Sequence, residues 1–166
     1  MNIIVNVSQN WAIGKNNSLL FHISQDMKFF KSHTVGNTVI MGRKTLDSLP
    51  GGRALPNRKN IVLTHDLSFS RENVTVCHDI DELKKEIKDI DTNSVYVIGG
   101  ESLYRQLLPL CDTAYVTKVK ASVPDADAFM VDLDEASEWD VITPVELLNE
   151  NGIEFAFLTY KRIPKN

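Results

Sequence analysis

The chain has 166 residues, 43% of them apolar and 24% charged, and a net charge of −4; such a chain buries a core without disulfide or metal staples, and its ordinary composition points neither to a fibre nor to disorder. An acidic balance with no long basic stripe argues against nucleic acid as a partner. With no apolar run near the ~18 residues of a membrane helix, no signal-peptide pattern at the N-terminus, and Cys77 and Cys111 lacking zinc-site or disulfide spacing, the expectation is a cytoplasmic protein in a reducing compartment, with no metal and no membrane contact.

Ile3 to Val7 is apolar at nearly every position and reads as a strand covered on both faces. Asn10 to Ser18 is polar and reads as a loop, and the whole connector from Gln9 to Leu20, with Gly14 and Asn16-Asn17, is long, either a lid or a mobile surface segment. Ser24 to His33 reads as a helix with Ser24 as N-cap. Val39-Ile40-Met41 is a buried strand ended by Gly42, and a short helix from Arg43 to Leu49 stops at Pro50-Gly51-Gly52. Strands follow at Asn60 to Thr64 and Val74 to Cys77, then an amphipathic helix from Asp81 to Ile90. Val95 to Ile98 is a strand closed by Gly99-Gly100, Ser102 to Leu108 a helix, and Thr113 to Lys120 a strand. Trp139 to Ile142 and Glu154 to Arg162 are strands joined through a turn at Asn149 to Gly152. This order predicts an α/β, three-layer fold: a central mixed, mostly parallel sheet of about eight strands with a C-terminal antiparallel hairpin, flanked by about four helices, in one domain over residues 1–166.

Two segments share one design. Val39 to Thr45 and Val97 to Leu103 each run from buried strand through glycine into a helix start. Glycine lets backbone approach a ligand, and a helix N-terminus offers unpaired N–H groups to phosphate. Such turns are also common connectors. Two of them, one carrying Arg43, Lys44 and Thr45, favour a dinucleotide, although neither matches a Rossmann or Walker pattern. Asp26 falls in the first turn of its helix, beside Phe29 and Phe30. It either complements the helix dipole or accepts paired N–H bonds from an amidine-like ligand edge.

Four motifs in this order resemble the dihydrofolate reductase family: Ala12-Ile13-Gly14 through Leu20-Phe21, Asp26, Phe30 and Thr34; Val39 to Thr45; Leu55-Pro56-Asn57-Arg58-Lys59-Asn60; and Val97-Ile98-Gly99-Gly100 with Leu103-Tyr104. The resemblance covers nearly the whole chain. It implies reduction of 7,8-dihydrofolate to tetrahydrofolate with NADPH as cofactor, in a monomer. It implies that Asp26 holds the pterin and supports protonation at N5, with Thr117 bonded to this acid. It implies that Ile4, Val5, Met27, Phe30, Leu49, Leu55 and Ile98 wall the substrate and that Arg58 clamps its glutamate carboxylate. For the cofactor it implies Asn6, Ile13, Gly14, Leu19, Gly42, Arg43, Lys44, Thr45, Ile98, Gly99, Gly100, Glu101, Ser102, Leu103 and Tyr104, with Thr64 and His65 at the 2′-phosphate.

The chain departs from the family at two places. Leu20-Phe21 stands where the family has Pro-Trp, so Phe21 keeps the bulk at the catalytic pocket and loses the indole donor; the altered lid implies reduced sensitivity to diaminopyrimidine antifolates. Ala126 to Met130 matches the family loosely and receives no role. Two other readings stay open: a sister reductase acting on a pyrimidine of flavin synthesis, and a non-catalytic pterin- or nucleotide-binding module.

Overall fold

The computed structural model describes residues 1–164. Among the described residues, eleven strands and four α-helices follow in this order: β1 (Asn2–Val7), β2 (Ala12–Gly14), α1 (Ser24–Thr34), β3 (Thr38–Gly42), α2 (Arg43–Ser48), β4 (Lys59–Leu63), β5 (Val74–Cys77), α3 (Ile80–Ile87), β6 (Val95–Gly99), α4 (Glu101–Leu107), β7 (Thr113–Val119), β8 (Ala128–Phe129), β9 (Trp139–Val141), β10 (Leu148–Glu150) and β11 (Ile153–Arg162). The main sheet runs β10-β11-β7-β1-β6-β3-β4-β5, and β9 also pairs with β11. Every pairing from β7 to β5 is parallel, and the three made by β11 are antiparallel. The expected mixed sheet is therefore present. The hairpin partner of β11 is β10, across a turn in which Asn151 and Gly152 both take positive φ; β9 joins β11 from farther back in the chain.

Alternation along the strands builds three layers. Ile3, Val5 and Val7 of β1, Ile40 of β3, Ile61 of β4 and Val97 of β6 share one apolar cluster with Leu83 and Ile87 of α3 and Leu103 and Leu107 of α4. Ile4, Val39, Met41, Val62 and Tyr96 point the other way, to Leu46 of α2 and to Phe29 and Phe30 of α1. A third, smaller cluster of Ile23, Val119 and Phe155 takes in Phe21 beside the start of α1.

One irregularity shapes the sheet. β1 pairs with β7 along its whole length, from Asn2 opposite Thr113 to Val7 opposite Lys118. Its pairing with β6 stops after Ile3 opposite Val97. The two strands part at their C-terminal ends, where ligands of open α/β sheets bind.

Two local expectations are corrected. Ser24 is the first residue of α1 and not its cap; the preceding Ile23 caps nothing with its side chain. The acceptors come from Glu150 on β10, whose carboxylate takes the Ser24 N–H at 2.6 Å, the Ser24 hydroxyl at 2.8 Å and the Gln25 N–H at 3.0 Å. The stretch from Gln9 to Leu20 is only partly irregular. Its β2 pairs with β8, inside the segment Ala126 to Met130 that had no expected role.

Candidate active site

Asp26 projects from the first turn of α1 to the C-terminal ends of β1 and β7. Thr117 Oγ donates to Asp26 Oδ1 at 2.5 Å, and Asn6 Nδ2 donates to Asp26 Oδ2 at 2.9 Å. Thr117 is 1% exposed, and Asn6 and Thr117 are direct register partners across the β1–β7 ladder. Two neighbouring strands thus each hold one oxygen of a half-buried carboxylate. This geometry places Asn6, expected among the cofactor residues, against the acid.

The parted strands line the next part of the site. Tyr104 Oη donates to the Ile4 carbonyl at 2.9 Å. Burial first, and the negative charge of Asp26 second, push the Tyr104 hydroxyl upward, so it stays a donor. Ile4 and, packed against its cluster, Phe30, Leu49, Leu55 and Ile98 form one apolar wall on the α1 face. Of the other expected wall residues, Val5 turns to the opposite face and Met27 is 66% exposed.

Arg58 is set by its surroundings. Asn60 is nearly fully buried and ties the loop before it into a ring: it accepts from the Leu55 N–H and donates to the Leu55 and Arg58 carbonyls, at 2.9, 2.9 and 3.0 Å. Arg58 Nη1 donates to Thr34 Oγ1 at 3.0 Å and Nε to the Pro56 carbonyl at 2.9 Å. Partial burial lowers the guanidinium's pKa. The residue lines an open cavity of about 660 Å³ together with Leu55 and Asn73 to Thr75.

The two glycine turns lie side by side, because β3 and β6 are neighbours and Met41 pairs with Gly99. A Cβ on Gly42 would sit 3.9 Å from the Gly99 carbonyl. At Gly99, φ is +132°, and a Cβ there would lie 3.4 Å from Thr45 Oγ1 and 3.6 Å from Tyr104 Oη. The peptide between Gly99 and Gly100 is cis. Neither α2 nor α4 has a side-chain cap, so the N–H groups of both first turns keep no side-chain acceptor. With exposed Arg43 and Lys44 and the Thr45 hydroxyl close by, these residues fit a dinucleotide pyrophosphate. Arg43 also pairs with Asp66 at 2.8 Å and lies over the Phe69 ring. Thr64 and the exposed His65 follow β4, the strand next to β3.

The remaining expected residues divide. Gly14 and Ile13 belong to β2, and Leu19 is 63% exposed. Asn16 N–H donates to Asp127 Oδ2 at 2.8 Å, Lys15 pairs with Asp125, and Asn17 Nδ2 donates to the Lys44 carbonyl at 3.0 Å, so the loop reaches the first glycine turn. Glu101 accepts from the Phe129 N–H at 3.0 Å, Ser102 accepts from Gln106, and Leu103 points into the core. Sequence reasoning missed Glu150, Thr34 as a support for Arg58, and the bond from Asn6 to Asp26. Glu150 lies too far from Ser24 in the chain for any pattern to join them.

Comparison with known proteins gives one answer. Residues 1–162 match the family model described as dihydrofolate reductase. A dihydrofolate reductase of Bacillus subtilis is 34% identical over 166 residues, covering 98% of this chain and 94% of that protein. A bifunctional dihydrofolate reductase-thymidylate synthase of Daucus carota is 37% identical over 180 residues, which cover 97% of this chain; the chain spans only 33% of that relative's length. A solved structure of dihydrofolate reductase from Enterococcus faecalis, complexed with NADP(H) and RAB-propyl, superposes with a TM-score of 0.85 at 31% identity, covering 97% of this chain and 95% of the other.

Proposed function

The chain belongs to the dihydrofolate reductase family, and on that premise we propose that Asp26 is the acid that orients the pterin of its substrate. The reaction is the NADPH-dependent reduction of 7,8-dihydrofolate to 5,6,7,8-tetrahydrofolate. Bound NADPH supplies the hydride, from nicotinamide C4 to pterin C6. The protein aligns two rings and excludes water, and one carboxylate near the pterin suffices to help place the proton at N5.

The observation that carries this reading is the Asp26 carboxylate held by one donor on each oxygen, beside the mouth of the parted strands. Each oxygen keeps acceptor capacity for a paired N–H edge of the pterin. Ile4, Phe30, Leu49, Leu55 and Ile98 wall the rings, and Arg58, steadied by Thr34, takes the glutamate carboxylate of the tail. The glycine turns with Arg43, Lys44 and Thr45 hold the pyrophosphate, and Thr64 and His65 meet the 2′-phosphate. All of these groups come from one chain, so the proposed site is complete in a monomer, the form we propose. Cys77 and Cys111 are free and buried, which accords with the cytoplasm.

The test is NADPH oxidation followed at its near-ultraviolet band with dihydrofolate added, for the parent and for Asp26→Asn. Turnover in the parent that collapses in the variant is the expected result. NADPH binding without dihydrofolate-dependent oxidation in the parent would move the assignment to a binding module.

A further inference from the structure

We infer that the Asn6 side chain is a positioning group for the Asp26 carboxylate, and through it for the pterin. The inference rests on the reading of Asp26 given above.

Alternation on β1 puts Asn2, Ile4 and Asn6 on the face covered by α1. That face is otherwise apolar at its centre, and a polar side chain there needs a partner. Asn2 has one in the backbone, donating to the carbonyls of Asn93 and Val95 at 2.9 and 3.2 Å. Asn6 has Asp26. An ionised carboxylate only accepts, so the amide nitrogen of Asn6 is the atom that faces it.

The terminal torsion of an aspartate is broad, and a single donor leaves the carboxylate free to turn about it. Here the donors stand on adjacent strands and take different oxygens, Thr117 on Oδ1 and Asn6 on Oδ2. Two points of attachment define the plane of the group. A carboxylate has about four acceptor positions. The sheet uses one on each oxygen, and the other on each remains for a ligand that presents two N–H donors side by side. An apolar residue at position 6 would leave Oδ2 untethered and that matched pair unaligned.

The experiment uses the whole chain with Asn6→Ala and Asn6→Leu, the second keeping bulk without a donor. The KM and kcat for dihydrofolate are measured beside the dissociation constant for NADPH. We expect both variants to raise the KM about tenfold, the scale of one hydrogen bond to a charged group, while NADPH affinity stays within about twofold of the parent. Retained NADPH affinity shows that the fold is intact; should the bulkier Leu disturb it, the Ala variant decides. A parent-like KM in Asn6→Leu would show that bulk matters and not the donor. Weakened NADPH binding with an unchanged dihydrofolate KM would show that the side chain serves the cofactor site instead. Either result overturns the inference. Asp26→Asn is the control for the underlying reading: a parent without turnover defeats that reading, whereas a working parent, an impaired Asp26→Asn and parent-like Asn6 variants defeat only the role of Asn6.

Discussion

Replacing Thr117 by valine removes one donor from Asp26 and nothing else of comparable size. The hydroxyl is buried, 2.5 Å from Asp26 Oδ1, and valine fills the same space with a methyl group. A hydrogen bond to a charged group contributes about 1.5–3 kcal/mol, and burying the extra methyl returns about 0.8 kcal/mol. The net loss is about 1–2 kcal/mol, since the half-exposed acceptor keeps access to water. For a domain of this size each kcal/mol moves the Tm by about 2–4 °C, so the melting point should fall by about 2–8 °C. If the same bond aligns the acid for the pterin, kcat/KM for dihydrofolate should fall about 5- to 30-fold. Thermal unfolding and NADPH oxidation on the same preparation read both effects. A lowered Tm with unchanged kcat/KM would show that the bond serves the fold alone; no change in either would refute the reasoning.

Two further outcomes follow from the supports around the site. Donors from the first turn of α1, the Ser24 N–H foremost, hold the Glu150 carboxylate below its usual pKa, so its contribution to stability is present above the ordinary glutamate value and is lost as pH falls through the lowered one; Glu150→Gln should flatten that acid limb in a series of melting curves, and an unchanged slope would show that the cap contributes nothing. Arg58→Lys keeps the charge and loses the fork, so the KM for dihydrofolate should rise about 10- to 100-fold with kcat little changed; an equal rise for a pterin lacking the glutamate tail would place the effect elsewhere.

The layers were legible because strand and helix periods differ, and the apolar runs of β1, β3 and β6 could only be covered on both faces. The glycine turns were legible because glycine between strand and helix has a limited set of uses. Asp26 was legible as an acid in an apolar stretch. Thr117 as its partner was legible only through the family resemblance, and Asn6 as its second donor was not legible at all, because Asn6 and Thr117 meet only when β1 and β7 lie side by side. β2 and β8 are two or three residues long and carry no period. Ser24 has the composition of a cap and is not one, because a carboxylate from a distant hairpin already supplies the acceptors.

The parting of β1 from β6 has a consequence for how this protein tolerates change. Beyond Ile3 the β1 edge facing β6 no longer spends its backbone groups on a ladder, and the Ile4 carbonyl is met by a tyrosine hydroxyl instead. Polar groups of this kind belong to the main chain and survive any side-chain replacement along the strand. Substitutions at Ile4 or Ile98 can therefore reshape the walls of the opening, trading one bound molecule against another, without erasing its polar floor. Replacement there alters the shape of the opening and leaves these main-chain groups in place.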